Sequence, residues 1–147
     1  MAKFADFSDI NADELLLKAT ENGWSLAGVQ MLVNVLKADV NVTDQNSYTP
    51  LTWACVKGRD EVAKFLIKNG SDTEKADSYN NTPLIMATRS GHEGCVRILL
   101  PAGASVKARN RGGKSALDYA LDLGEKRILR LLRGEFVSLP KESTLYS

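Results

Sequence analysis

Residues 49–54 read T-P-L-T-W-A, residues 82–87 read T-P-L-I-M-A, and residues 115–120 read S-A-L-D-Y-A. The segment therefore returns twice, each time after 33 residues. Other landmarks keep that step: Asp44, Asp77 and Asn110 precede the segment, and Gly58, Gly91 and Gly124 follow it. A fixed period of this length marks repeated supersecondary units, and it outranks any local motif.

Each unit has a local reading. Thr49, Thr82 and Ser115 suit helix N-caps, because a hydroxyl accepts from the orphan N–H groups of the first turn. Pro50 and Pro83 then stand at the first helical position, where a missing N–H costs nothing. The first helix is short and stops at the glycine. A second helix follows, with apolar residues at i, i+3, i+4 spacing, Val62, Phe65 and Leu66, then Val96, Leu99 and Leu100; Leu129 and Leu132, with Ile128, repeat the apolar face. Gly70 and Gly103 fit the left-handed residue after a helix. The polar stretch between units reads as a hairpin-like turn. One such helix pair cannot bury its own apolar face, but stacked neighbours can. The expected fold is an all-α solenoid of helix-turn-helix repeats joined by β-hairpin-like loops.

With its 33-residue step, its T-P-L segments, Gly91-His92 and Gly103-Ala104, the chain resembles the ankyrin repeat family over about residues 11 to 134. The resemblance implies four units, at about 11–43, 44–76, 77–109 and 110–134, in a domain over 1–135, followed by a tail over 136–147. The first unit departs from the pattern. Leu15, Leu16, Leu17 and Ala19 match its first helix, and Val29, Leu32, Val33 and Leu36 its second. Gly23 to Asp39 is two residues longer than Gly58 to Asp72, which reads as an insertion near Trp24. Lys37 stands where a glycine is usual. The family's histidine after T-P-L is replaced by Thr52, Ile85 and Asp118. Thr and Asp can supply part of its hydrogen bonding, and Ile cannot. Lys126, Arg127, Arg130 and Arg133 mark a solvated capping helix.

Composition excludes several function classes. The 147 residues suit one domain, and 44% hydrophobic residues suffice for a core. Lys plus Arg total 19 against 18 Asp plus Glu, so the chain is not a uniformly cationic nucleic-acid binder. Two cysteines and one histidine are too few for a disulfide framework or a four-ligand Cys/His zinc site. The first residues, M-A-K-F-A-D-F-S-D-I-N, hold no apolar h-region, so no secretory leader is expected, and no apolar stretch reaches the ~18 residues needed to span a membrane. The expectation is a cytoplasmic protein, with the nucleus as a further location, monomeric and without membrane contact, metal or cofactor. The sequons at Asn41 and Asn80 are then accidental.

No residue group argues for catalysis. Ala108 to Ser115, A-R-N-R-G-G-K-S, loosely fits a phosphate-binding loop, but G-A-S-V-K-A before it is no buried strand. Its Gly113-Lys114-Ser115 occupies the repeat positions of Asn80-Asn81-Thr82, so the repeat explains it. His92 reads as a structural turn residue, and Cys55 and Cys95 as small buried hydrophobes. The chain is read as a non-enzyme.

The resemblance implies protein binding through hairpin tips and the exposed side of the first helices. Carried over residue by residue, the tips are Gln45, Asn46 and Tyr48, then Ser78, Tyr79 and Asn81, then Arg111, Gly112 and Lys114. The first helices add Val56, Lys57, Arg89 and Ser90. Trp53, Met86 and Tyr119 share one position on the concave face. Charge is unevenly spread along the chain. Residues 1–47 carry three Lys/Arg and seven Asp/Glu, a net −4; residues 48–105 carry seven and six, a net +1; residues 106–147 carry nine and five, a net +4. Lys107, Arg109, Arg111 and Lys114 crowd the last hairpin, which points to a partner with an acidic segment. A nucleic acid or other polyanion at that basic end is the alternative. Within the protein-binding class, the size resembles the small four-repeat inhibitors of cyclin-dependent kinases. Phe136, Val137 and Leu139 are expected to cover the last repeat.

Overall fold

The computed structural model describes residues 9–134, so the tail with Phe136, Val137 and Leu139 lies outside the described residues. Eight helices follow one another: α1 (Ala12–Asn22), α2 (Leu26–Asn34), α3 (Pro50–Lys57), α4 (Asp60–Lys68), α5 (Pro83–Arg89), α6 (Glu93–Leu99), α7 (Ala116–Leu123) and α8 (Lys126–Leu132). They form antiparallel pairs in two layers. The first helices α1, α3, α5 and α7 pack side by side, and α2, α4, α6 and α8 make the second layer. The chain is an all-α solenoid of stacked helix pairs.

The helix starts follow from their caps. The Thr49 hydroxyl accepts from the Thr52 amide, and Thr52 returns the bond to the Thr49 amide. Ser115 and Asp118 repeat this reciprocal pair. At Thr82 the cap accepts from the Ile85 amide, but the apolar Ile85 returns nothing. Gly58 and Gly124 end α3 and α7 in the left-handed region, at φ +70° and +69°.

The core is continuous through the stack. Leu16, Leu51 and Leu84 line the first layer, and Val29, Leu32, Val62, Leu66, Val96, Leu99 and Ile128 the second, all almost fully buried. Each such side chain contributes about 1.5–3 kcal/mol on leaving water. No pair has a core of its own, as a solenoid requires.

The extra residues of the first unit are distributed differently from the sequence reading. One lies in the α1–α2 link, where three steps separate Gly23 from Leu26 against two from Gly58 to Asp60. The other lies behind α2, where Lys37 takes the left-handed place of Gly70 one residue later than the repeat requires. The split keeps α2 at nine residues, like α4. Val29 and Leu32 thereby stay in step with the buried Ala63 and Leu66.

The inter-unit loops are closed turns, and no strand is formed among the described residues; a single antiparallel bridge joins Arg109 and Ser115. In the first turn the Asp44 amide donates to the Tyr48 carbonyl and the Ser47 amide to the Asp44 carbonyl. Asp77, Asn80 and Asn81 repeat the arrangement, as do Asn110, Gly113 and Lys114. Closure needs a left-handed residue, supplied by Ser47 (φ +64°), Asn80 (φ +63°) and Gly113 (φ +78°).

Candidate protein-interaction surface

The turns are stiffened from within and joined to one another. The Asp44 Oδ1 accepts from the amides of Asn46 and Tyr48, both at 2.9 Å. Asp77 Oδ1 does the same for Tyr79 and Asn81. Asn110 Oδ1 accepts from the Lys114 amide at 3.0 Å. Between turns, the Ser78 amide donates to the Asn46 carbonyl and the Arg111 amide to the Tyr79 carbonyl. Asn80 Nδ2 adds a bond to the Arg109 carbonyl. Main-chain bonds thus hold the three tips in one row, and the Ser78 hydroxyl adds a bond to the Asn46 carbonyl at 3.0 Å.

Gln45, Asn46, Ser78, Tyr79, Arg111, Gly112 and Lys114 are exposed on that row, Tyr79 to 68%. Asn81 is buried instead, and its Oδ1 accepts from Asn110 Nδ2 at 2.9 Å, tying the second turn to the third. Tyr48 is half-buried, edge-on to Trp53 with ring centroids 5.0 Å apart. Burial and the nearby Asp77 raise its phenol above the usual range.

Along the first-helix layer, the shared repeat position carries three environments. Trp53 is half-buried, donates from Nε1 to Asp44 Oδ2 at 3.0 Å, and has the Lys57 ammonium 5.7 Å from its ring. Met86 is buried, and its sulfur faces the exposed Arg89 guanidinium. The Tyr119 hydroxyl accepts from Asn110 Nδ2 at 2.8 Å, and its ring lies between Arg89 at 5.3 Å and Lys114 at 5.4 Å. Lys57 and Ser90 are exposed, and Val56 is half-buried.

The basic third turn differs from its appearance in sequence. Asp118 and Asp122 of α7 reach back to it: Arg109 pairs with Asp118 at 3.1 Å and Lys114 with Asp122 at 2.6 Å. The hydrogen bond from Lys114 to Asp122 raises the ammonium above its ordinary value. Hydrogen bonds from Ser115, backbone first, hold the Asp118 carboxyl below its own. Lys107 and Arg111 make no ion pair among the described residues. Half of the cluster is therefore neutralised internally. Lys126, Arg127, Arg130 and Arg133 are all exposed, with Arg127 beside Glu93 at 3.5 Å.

Two features escape a reading of the residues alone. One is a groove of about 750 Å³ between α1 and the first turn, lined by Leu17, Glu21, Val42, Asp44 and Trp53 among others. The other is a latch at positions 59, 92 and 125, again 33 residues apart. Arg59 donates to the Trp24 carbonyl at 2.7 Å, His92 Nε2 lies 3.0 Å from the Val56 carbonyl, and Glu125 stands against Gly91. Each side chain reaches back to the end of the preceding first helix. The repeat step was the available signal for this latch.

Cys55 and Cys95 are fully buried, and the Cys95 thiol donates to Asp60 Oδ1 at 3.2 Å. The hydrogen bond to Cys95, with burial, pushes the Cys55 thiol well up, away from a nucleophilic thiolate. No group of three or more His, Cys, Asp or Glu side chains converges as a metal site among the described residues. No helix among them is long and apolar enough to cross a membrane.

A family profile described as ankyrin repeats (many copies) matches residues 51–100. A segment of 67 residues, 46% of this chain, is 43% identical to a palmitoyltransferase AKR1 of Lachancea kluyveri and covers 9% of that protein. Palmitoyltransferases AKR1 of Candida glabrata and Saccharomyces cerevisiae match at 39% and 36% identity over the same length, each covered to 8%. The aligned segment is thus under a tenth of those relatives, and the transferase activity in their names is theirs. Part of the chain is an ankyrin-repeat domain, homologous to the ankyrin region of AKR1-type proteins. Ankyrin repeats are a non-catalytic scaffold, and this segment is a protein-interaction module of that general kind.

Proposed function

We propose that this ankyrin-repeat domain binds a partner protein through its row of turn tips and the adjoining side of the first-helix layer. The observation that carries the reading is the row itself. Three turns are fixed to one another by main-chain bonds from Ser78 to Asn46 and from Arg111 to Tyr79, while Gln45, Asn46, Tyr79 and Arg111 stay exposed. A rigid array of exposed side chains binds with little ordering cost. Tyr79 is its natural anchor, since an exposed aromatic gains most when a partner covers it. An acidic stretch of the partner would meet Lys107 and Arg111, the two cations around the third turn that make no ion pair among the described residues.

The test is affinity capture from native lysate with the wild type and with Tyr79→Ala/Arg111→Ala. Both side chains are exposed, and the bond between these residues uses backbone atoms only, so the row survives the change. Loss of a captured protein is the expected result. Identical capture by both would remove the tips from the binding surface.

A further inference from the structure

We propose that the groove between α1 and the first turn takes a basic linear segment of a partner protein, with a lysine or arginine side chain seated at the Trp53 indole. This rests on the protein-binding reading above and names the chemistry of one part of the partner.

The groove is open to solvent and offers about 750 Å³ of space, within the roughly 300–1,000 Å³ typical of ligand clefts. Its apolar surface comes from Leu17, Val42 and Trp53. Around these stand Asp13, Glu14, Glu21 and Asp44 against the single cation Lys18, which Glu14 pairs at 3.1 Å. The two aspartates are held in place by neutral donors. Asp13 accepts from the Asp39 amide at 2.7 Å, and Asp44 from two amides and the Trp53 indole. Their charges are therefore oriented without being cancelled by a cation. Glu21 makes no ion pair among the described residues.

The indole already shows its preference. Lys57 extends its ammonium to 5.7 Å from the Trp53 ring, the geometry of a cation–π contact. The equivalent residue at the other end, Tyr119, is flanked by Arg89 and Lys114. Both rings hold resident cations, but the groove beside Trp53 also carries Asp13, Glu21 and Asp44, which no cation pairs among the described residues, so the groove is the receptive end for cations. Charge complementarity selects the partner's sign as well as steering it.

Binding is read from Trp53 emission in a Trp24→Phe background, which leaves Trp53 as the single indole; Trp24 is 40% exposed. The probes are two short synthetic peptides, one alternating lysine and leucine, the other glutamate and leucine. The lysine peptide is expected to bind and shift Trp53 emission. Glu21→Lys should weaken it about fivefold at low salt, and Lys57→Ala, which removes the resident cation, should tighten it. Glu61→Lys on the exposed side of α4 makes the same charge change and should have less than about twofold effect. Equal binding of the glutamate peptide, an equal loss with Glu61→Lys, an unmoved Trp53 emission or no binding of either peptide would each overturn the inference. The protein-binding reading fails separately, in the capture experiment with Tyr79 and Arg111.

Discussion

His92 Nε2 lies 3.0 Å from the Val56 carbonyl oxygen, and the His92 ring fills the space above Gly58. A Cβ on Gly58 would stand 2.5 Å from His92 Nδ1. The same glycine has φ +70°, whereas Gly124 has φ +69° with nothing within 4 Å of its Cβ position. The two sites thus share backbone strain and differ in the latch. Gly124→Ala should cost about 1 kcal/mol for the left-handed backbone alone. Gly58→Ala should cost about 2–3 kcal/mol, because it also displaces His92 from the second helix pair. Urea unfolding of the two variants, with His92→Ala as reference, measures the difference; equal losses would show that the ring moves aside freely.

Leu84 is fully buried at the middle of the stack, while Leu123, also a helix leucine, is 52% exposed. Leu84→Ala should lose about 2–5 kcal/mol, since the cavity opens between two helix pairs that cannot both collapse onto it. Leu123→Ala should stay within about 0.5 kcal/mol. A melting curve that separates into two transitions for Leu84→Ala would place the break in cooperativity at the third pair, the behaviour of a nearest-neighbour solenoid.

Much of the fold was legible because repeat register repeats physics. Thr49, Thr82 and Ser115 cap helices as their hydroxyls and spacing required, and the half-made cap at Thr82 follows from Ile85 in place of a polar residue. Three things were not legible. The two extra residues of the first unit were divided between the link at Trp24 and the turn at Lys37 by the need to keep Val29 and Leu32 buried, which depends on α4. Asp118 and Asp122 cancel Arg109 and Lys114 because α7 folds back beside its own turn, a distance that counting along the chain does not reveal. The groove required knowing where α1 lies relative to Trp53.

Asp44 and Asn110 occupy the same turn position with opposite outer atoms. Asp44 presents Oδ2 to the Trp53 N–H, whereas Asn110 presents Nδ2 to the Tyr119 oxygen. Each matches its neighbour: an acceptor faces a donor, and a donor faces an acceptor. Asp44→Asn keeps the atom that closes the turn but can set an NH₂ against the indole N–H. It should cost about 1–2 kcal/mol and red-shift Trp53 emission as the indole turns toward water. Asn110→Asp should be destabilising by a similar amount, through the carboxylate facing the Asn81 oxygen. Unchanged emission and stability in Asp44→Asn would mean that the Trp53 N–H finds water without loss.

The carboxyl of Asp118 is held below its ordinary value of 3.8 by hydrogen bonds from Ser115, with Arg109 adding its charge. A depressed folded-state value means that the carboxylate stabilises the fold at pH above the unfolded-state value. That contribution fades as pH falls through 3.8 and is gone once the folded-state carboxyl is protonated. Asp118→Asn lacks it at every pH. The gap in stability between wild type and Asp118→Asn should therefore be constant from about pH 7 to about pH 5 and close in more acidic solution. High salt should remove the Arg109 share and leave the larger Ser115 share, because an exposed ion pair is screened and a capping bond is not. Chemical denaturation at several pH values measures the gap; one that widened with acid would reverse the sign and show that the cap favours the protonated carboxyl.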